Sequence, residues 1–149
     1  MNSKQPLIVD RILFPAMFYP YNYGFIPQTK EQQPGSNGEA DPIDVFVLGN
    51  YSLWSAIACR PVGIILSKDQ DGIDSKIIAV PLTNIDPTFS VLDINDVPES
   101  MKMQLKHFIE HHKDLEEGKY VTVTGWQGKK DAETKITKAI QRYNDINLD

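Results

Sequence analysis

Strand-forming segments occupy most of this chain, and helical periodicity is confined to its last third. Runs of β-branched and aromatic residues bounded by Gly, Pro and Asp are typical of short strands. We predict strands over residues 7–9, 43–48, 57–66, 76–80 and 120–126, with a turn over residues 20–24 and a polar loop over residues 30–40. Pro61 and Gly63 interrupt the third strand, which predicts a bulge or the bend of a barrel. Many short strands with few helices favour a small closed or half-closed β-barrel, which we expect to be antiparallel.

Two segments in the last third carry the period of an amphipathic helix. The first predicts a helix over residues 98–117, with a capping box formed by Asp96 and Glu99 and an end at Gly118. Its inward face recurs every three or four positions and comprises Met101, Leu105, Phe108, His112 and Leu115. The second helix follows the same rule with Ala132, Ile136, Ala139, Ile140 and Tyr143. We therefore predict a mainly β fold with two packed helices (α+β).

The composition fits one globular domain over residues 1–149. Hydrophobic residues make up 41% of the chain and charged residues 23%, as in ordinary soluble proteins. The formal charge of −5 argues against nucleic acid as a partner, because binding to its phosphates needs a basic face. The single cysteine, Cys59, excludes an internal disulfide. No apolar run approaches the length of a membrane span and no signal-peptide core is present, so we expect no membrane partner and a cytoplasmic location.

Carboxylates cluster in two short segments. The first is Asp41-Pro42-Ile43-Asp44-Val45, and the second runs from Asp69 through Asp74 to Lys76. Mg²⁺ needs oxygen ligands and is usually held by a few carboxylates plus substrate phosphates. Tyrosines and cations suited to phosphate contacts lie in the surrounding chain: Arg11, Tyr19, Tyr23, Lys76 and Lys113. A Mg²⁺–phosphate site is the first hypothesis, and ordinary turns, in which Asp, Gly and Pro also dominate, are the alternative.

The histidines of the first predicted helix each allow more than one interpretation. His112 lies on the inward face, where a histidine is usually a hydrogen-bonded core residue. His107 and His111 are four residues apart, a spacing that permits a metal site. Without a third ligand, a metal site is a weaker interpretation than a subunit contact or a surface position.

Six segments carry a resemblance to a known family: FYPYNYGFI at 18–26, DPIDV at 41–45, CRPVG at 59–63, DSK at 74–76, AVP at 79–81 and FIEHHKDLE at 108–116. In this order and spacing the chain resembles the family I soluble inorganic pyrophosphatases, from about residue 7 to the C-terminal helix. The resemblance implies a five-stranded OB-like barrel with two helices, inorganic pyrophosphate as substrate and Mg²⁺ as cofactor. It also implies a homo-oligomer, which in bacteria is usually a hexamer.

The resemblance also assigns roles to individual residues. Asp41 is implied to be the general base for the attacking water, and Asp44 to bridge two Mg²⁺ ions. Asp69 and Asp74 are implied to bind metal from the opposite side, and Glu39 matches a further metal ligand of the family. The groups matched to the phosphate oxygens are Arg11, Tyr19, Tyr23, Lys76, His112 and Lys113.

Three departures from the family pattern bear on activity. The family signature begins Asp-Gly-Asp-Pro, whereas the matching residues here are Glu39-Ala40-Asp41-Pro42. His112 stands where the family has a phosphate-binding tyrosine. The family's N-terminal segment, which supplies a first hairpin, a lysine for phosphate and glutamates for metal, has no counterpart before Leu7. We therefore expect a barrel that is incomplete at its first hairpin, and weak hydrolysis.

Three functions from different classes remain open at this point. The leading one is Mg²⁺-dependent hydrolysis of pyrophosphate to two phosphates. The second is a weakened or inactive homologue that retains metal and phosphate binding. The third is an OB-type nucleic-acid module, which the acidic charge makes unfavourable. Phosphate release with Mg²⁺ separates the first two, and retention on single-stranded DNA at low salt tests the third.

Overall fold

The structure is a computed structural model that describes residues 9–33, 38–52, 56–91 and 93–146. Within these residues it contains six strands: β1 (Asn22–Ile26), β2 (Ile43–Val47), β3 (Cys59–Asp69), β4 (Gly72–Ile73), β5 (Lys76–Pro81) and β6 (Val121–Gly128). A 3-10 helix (Ile94–Asp96) precedes helix α1 (Glu99–His111), and helix α2 (Lys129–Ile146) follows β6. The predicted strand over residues 7–9 lies outside the described residues except for Val9, which is in no strand.

All six strands belong to one sheet. Its order is β1-β2-β5-β3-β4, and β6 also pairs with β3. The pairs β1–β2, β3–β5, β3–β4 and β3–β6 are antiparallel, but β2 and β5 are parallel, so the expectation of a fully antiparallel barrel was wrong. The parallel pair arises because β3 and β4 intervene in the chain and return it to β2 in the same direction. Among the described residues no pairing joins β1 to β6, and the sheet is open. The predicted fold class, five main strands with two helices and an incomplete barrel, is confirmed.

Most strand predictions hold because their evidence was local. The predicted strands over 43–48, 57–66, 76–80 and 120–126 correspond to β2, β3, β5 and β6. The interruption at Pro61 and Gly63 is a register shift in the β3–β5 pairing. A side chain at Gly63 would place its Cβ 2.6 Å from the carbonyl oxygen of Gln127, so the bend requires glycine. The predicted turn over residues 20–24 was wrong in its second half, because Asn22 already pairs with Val47.

Buried side chains form one layer on each face of the sheet. Because alternate residues of a strand point to opposite faces, Ile64 packs toward α2 and Ile65 packs toward α1. The α1 layer contains large side chains that include Phe46, Leu105 and Phe108. The α2 layer is completed by small side chains, among them Ala132 and Ala139.

Helix α1 is shorter than predicted. It ends at His111, and residues 112–118 form turns in which Asp114 N–H donates to the carbonyl of His111 and Glu116 N–H to that of Lys113. Leu115 therefore leaves the inward face and is 65% exposed, which corrects its prediction as buried. Leu105 and Phe108 are buried as predicted, and Met101 is half-buried.

The capping box lies one element earlier than predicted. Asp93 and Asp96 form it at the 3-10 helix. The Asp96 carboxylate accepts from Asp93 N–H at 3.0 Å, and the Asp93 carboxylate accepts from Asn95 N–H at 3.4 Å. The residue before α1 is Pro98, which makes no side-chain cap. The prediction of Asp96 with Glu99 was wrong because Asp96 ends the 3-10 helix, and α1 begins separately at Glu99 with Pro98 at its N-cap position.

The predicted inward face of α2 is only partly buried. Ala132 and Ala139 are fully buried, Ile136 is half-buried and Ile140 is 40% exposed. Neither of these helices, nor any other helical segment in the described residues, has the length and apolarity to cross a membrane.

Candidate active site

One cleft gathers ten of the eleven predicted site residues. Its volume is about 950 Å³, and it lies between the β1–β2–β5 part of the sheet and the turn after α1. The predicted residues that line it are Arg11, Tyr19, Tyr23, Asp41, Asp44, Asp69, Asp74, Lys76, His112 and Lys113. Glu39 is exposed and does not belong to this lining.

A buried lysine joins two of the carboxylates. The ammonium of Lys76 donates to Asp44 Oδ2 at 2.9 Å and to Asp74 Oδ1 at 3.0 Å, and only 10% of its side chain is exposed. Burial acts to lower the pKa of Lys76, but Tyr23, Asp74 and Asp44 outweigh it and raise the pKa above its ordinary value. Lys76 is therefore a permanent cation at the base of the cleft.

The backbone fixes both carboxylates that contact Lys76. Asp44 is on β2 beside Val45, which pairs with Ile77 of the parallel strand β5 and so brings the two segments together. Asp74 is tied to Ser67 by two hydrogen bonds, one from Asp74 N–H to the Ser67 carbonyl at 3.0 Å and one from the Ser67 hydroxyl to the Asp74 carbonyl. The backbone at Asp44 is thus set by strand pairing, and that at Asp74 by its two hydrogen bonds to Ser67.

A second ion pair spans the other side of the cleft. The ammonium of Lys113 lies 3.5 Å from Asp69 Oδ2, and the carboxylate of Asp69 also accepts from Asp71 N–H at 2.8 Å. Arg11 lines the same cleft but is largely exposed and pairs with its neighbour Asp10 at 2.8 Å. Each of these two cations thus lies next to a carboxylate.

Aromatic rings form the wall between the sheet and α1. Tyr19 and Tyr23 stack with ring centroids 5.1 Å apart, and Phe108 lies 4.6 Å from Tyr19. Phe46 lies 4.9 Å from Tyr23 and 6.4 Å from Phe108. Burial raises the pKa values of Tyr19 and Tyr23, so both hydroxyls remain protonated donors at neutral pH. The wall thus combines two partly exposed tyrosines with the buried rings of Phe46 and Phe108.

His112 is the residue that follows α1. Its Nδ1 lies 2.9 Å from the carbonyl oxygen of Ile109 and 3.1 Å from that of Phe108, and its ring stacks on Phe108 with centroids 5.1 Å apart. Burial lowers the pKa of His112, and the positive charges of Lys113 and Lys76 lower it further. The imidazole is therefore mainly neutral at pH 7 in the free protein.

Helix α2 positions Asp41 through an intermediate segment. The carbonyl of Asp41 accepts from Glu31 N–H at 2.8 Å. The neighbouring Lys30 donates its N–H to the carbonyl of Ala139 in α2 at 3.1 Å, and its own carbonyl accepts from Arg142 Nε at 2.8 Å. The same helix holds the Glu31 side chain through Lys135 at 2.8 Å. Asp41 is exposed at the cleft, and its backbone is anchored to a helix on the far face of the sheet.

The oxygen ligands suit a divalent cation in kind. In the described part of the chain, no group of three or more His, Cys, Asp or Glu side chains is close enough to hold a metal ion. Asp44 and Asp74 share the Lys76 ammonium instead. Because Mg²⁺ is usually bound by one or two carboxylates together with substrate phosphates, this arrangement fits a cation that arrives with a phosphate ligand.

Sequence reasoning missed a hydrogen-bonded corner beside the cleft. The Asn22 side chain pairs with the backbone of Tyr51 in both directions, at 3.0 and 2.7 Å, and the Tyr51 hydroxyl donates to Asp86 at 2.7 Å. Burial and the Asp86 carboxylate raise the pKa of Tyr51 to about 12. The Gly49-Asn50 pair, which is typical of tight turns, is the sequence feature that indicates this corner.

Comparison with known proteins gives consistent matches over nearly the whole chain. The family model described as inorganic pyrophosphatase matches residues 1–144. An inorganic pyrophosphatase from Saccharolobus solfataricus is 47% identical over 137 residues, which cover 90% of this chain and 76% of the relative. The solved inorganic pyrophosphatase from Helicobacter pylori matches this structure with a TM-score of 0.83 at 42% identity. The match covers 93% of this chain and 80% of the H. pylori chain. That from Thermus thermophilus has a TM-score of 0.78 at 40% identity, with coverages of 92% and 77%.

Proposed function

Because the chain belongs to the inorganic pyrophosphatase family, we propose that it hydrolyses inorganic pyrophosphate to two phosphates in a Mg²⁺-dependent reaction. The observation that carries this proposal is the single cleft that gathers ten of the predicted residues. Carboxylates, cations and phenol hydroxyls in one cleft are the groups that a tetra-anionic substrate and its counter-cations need. Catalysis of phosphoryl transfer is mainly positioning and electrostatic stabilisation, which such a cleft supplies.

Asp44, Asp69 and Asp74 are the residues proposed to hold Mg²⁺. When bound, Mg²⁺ neutralises charge on the phosphates and lowers the pKa of the attacking water. The assignment of Glu39 to a metal rests on the family resemblance alone, because Glu39 lies outside the cleft lining. In the free protein the Lys76 ammonium contacts both Asp44 and Asp74, and its positive charge offsets the repulsion between the two carboxylates.

Asp41 is proposed as the general base. It accepts the proton of the attacking water, and its exposed position at the cleft allows that water to reach it. A base must be held in place to act, and the Glu31–Asp41 backbone hydrogen bond restricts the loop that carries it.

The cations and hydroxyls are proposed to hold the two phosphate groups. Lys76 supplies a buried charge at the base of the cleft, and Lys113 and Arg11 supply charges near its entrance. Pyrophosphate can replace Asp69 and Asp10 as their partner, which makes substrate binding an exchange of ion pairs. Tyr19 and Tyr23 add neutral donors, because burial raises their pKa values and keeps both hydroxyls protonated near neutral pH.

The test is release of phosphate from pyrophosphate by the full chain, with and without Mg²⁺. Hydrolysis that needs Mg²⁺ and disappears in Asp41→Asn supports the proposal. A folded protein that binds Mg²⁺ and phosphate but releases none at any Mg²⁺ concentration supports the inactive homologue instead. The three substituted positions, Glu39, Ala40 and His112, are the reason to keep this second candidate.

We further propose a cytoplasmic homo-oligomer that binds neither nucleic acid nor membranes. The net charge of −5 supports the absence of nucleic-acid binding. Exposed apolar side chains such as Phe18 and Met103 line a groove beside α1, which supports association between copies. Light scattering of the purified chain measures the number of subunits.

A further inference from the structure

The hydrogen bonds of His112 determine which of its two ring nitrogens carries the proton. Nδ1 lies within hydrogen-bond distance of two carbonyl oxygens, those of Phe108 and Ile109. Carbonyl oxygens only accept, so Nδ1 must be the donor. In the neutral ring Nε2 is then unprotonated. Because His112 lines the cleft and Nδ1 is engaged by the helix carbonyls, Nε2 is the ring nitrogen left for a ligand there.

An unprotonated Nε2 does not suit a phosphate oxygen. Both are hydrogen-bond acceptors, and the ring cannot switch to the other tautomer without leaving Nδ1 facing two acceptors. A tyrosine at this position, as in the family pattern, donates its hydroxyl without any change of charge. His112 can donate to pyrophosphate only after Nε2 gains a proton.

The surroundings of His112 keep it neutral until an anion arrives. The titratable groups that line the cleft with His112 come from every element around it. They are Lys113 and Glu116 from its own turn, Lys76 from β5, Asp69 from β3, Tyr23 from β1, Asp44 from β2, Asp10, Arg11, Tyr19 and Tyr21 from the N-terminal segment, and Asp41, Tyr51 and Asp74 from loops. Burial lowers the pKa of His112 and outweighs the hydrogen bonds to the Ile109 and Phe108 carbonyls, which raise it, and Lys113 and Lys76 lower it further. Pyrophosphate reverses this balance because its negative charges favour the imidazolium.

We propose that His112 binds pyrophosphate as the imidazolium, so that substrate binding takes up one proton from solvent onto Nε2. This inference rests on the proposed function. Protonation adds a donor and a positive charge against a phosphate group and leaves the Nδ1 bonds to the helix carbonyls unchanged. Affinity for the substrate therefore rises as pH falls from the pKa of His112 in the complex toward its pKa in the free protein.

Calorimetry with a non-hydrolysable analogue measures this proton. The full chain is titrated with methylenediphosphonate and Mg²⁺ in two buffers of different ionisation enthalpy, and His112→Gln, which keeps an amide donor near the Nε2 position, is the matched control. The wild type should take up nearly one proton more than the variant. As pH rises, the affinity of the wild type should fall more steeply than that of the variant, by up to about a further tenfold per pH unit. Equal proton uptake and parallel pH profiles overturn the proposal.

A second variant separates ligand binding from the cap on α1. His112→Asn keeps an amide near Nδ1, which can still donate to the helix carbonyls, and it lacks any group at Nε2. It should fold normally, bind the analogue more weakly than His112→Gln and show no extra proton uptake. Extra uptake that persists in His112→Asn contradicts the assignment to this ring.

Nitrogen NMR of labelled histidine observes the ring directly. The chain has three histidines, and the His112→Gln spectrum identifies the one at 112. Near pH 8 the free protein should show a proton on Nδ1 and none on Nε2, and the analogue complex should show protons on both. A bare Nε2 in the complex overturns the inference even when the protein hydrolyses pyrophosphate, whereas the absence of hydrolysis overturns the proposed function alone.

Discussion

Helices α1 and α2 cover opposite faces of one sheet but serve the cleft in different ways. The C-terminal end of α1 reaches the cleft directly, because Phe108 belongs to the core and to the aromatic wall, and His112 and Lys113 follow at once. No described residue of α2 lines the cleft; it acts on Asp41 through residues 30 and 31. Substitutions in α1 should therefore change stability and activity together, whereas substitutions in α2 should allow the two to be separated.

The largest expected effect is at Asp41, the proposed general base, whose backbone is anchored to α2 through residues 30 and 31. Asp41→Asn should lower kcat by about 10²–10⁴-fold, because a general base typically contributes that much. The side chain is exposed, so the free energy of unfolding should stay within about 0.5 kcal/mol. Steady-state phosphate release and thermal unfolding check both. A variant that retains a tenth of the activity would show that another group removes the proton.

The next effect tests the double role of α1. Phe108→Ala should destabilise the protein by about 3–5 kcal/mol, because a buried aromatic side chain is removed from the core. It should also raise KM, because the rings of Tyr19 and His112 lose their support. Phe108→Leu is the control, since it keeps apolar volume and removes the aromatic stacking. If KM is unchanged in the folded fraction of both variants, α1 is only a core helix.

A smaller effect tests the purely structural part of α2. Ala132 is fully buried between α2 and the sheet. Ala132→Leu should overpack this layer and destabilise the protein by about 1–3 kcal/mol. The kcat and KM of the folded protein should be unchanged. Denaturant unfolding measures the stability, and steady-state kinetics without denaturant measure kcat and KM. Thr134→Ala, at an exposed position on the same helix, should change neither.

The smallest expected effect tests the connection from α2 to the base. Arg142→Leu removes the hydrogen bond to the Lys30 carbonyl and should cost about 1 kcal/mol of stability. A displaced Asp41 should lower kcat by less than about 10²-fold and leave KM unaltered, because substrate contacts are not touched. Lys138→Leu, an exposed position on the same helix, is the control. An unaltered kcat in Arg142→Leu would limit α2 to packing.

The parts of the molecule that sequence predicts well are those encoded locally. The strands β2, β3 and β5 follow from runs of β-branched residues, and the bulge follows from Pro61 and Gly63. Leu115 was mispredicted because the periodicity continues past the point where the backbone turns at His112. A pattern of apolar residues does not contain the tertiary contacts that end a helix.

The candidate site shows the same division. Motif resemblance identified the residues that line the cleft, but no local pattern places the Lys76 ammonium between Asp44 and Asp74. That contact depends on the parallel β2–β5 register, which brings together segments distant in the chain. The hydrogen bonds from Arg142 through Lys30 and Glu31 toward Asp41 are equally non-local.

The two pairings of strand β3 have a consequence for the order of folding. On one edge Ile65 pairs with Lys76, 11 residues later in the chain, and on the other it pairs with Trp126, 61 residues later. Closing a short loop costs less entropy than closing a long one, so the β3–β5 hairpin should form early and β6 should join late. The Asp69–Lys76 half of the cleft would then be assembled before α1 and its following turn arrive. Pulse-labelled hydrogen exchange should accordingly show protection of β3 and β5 before protection of β6.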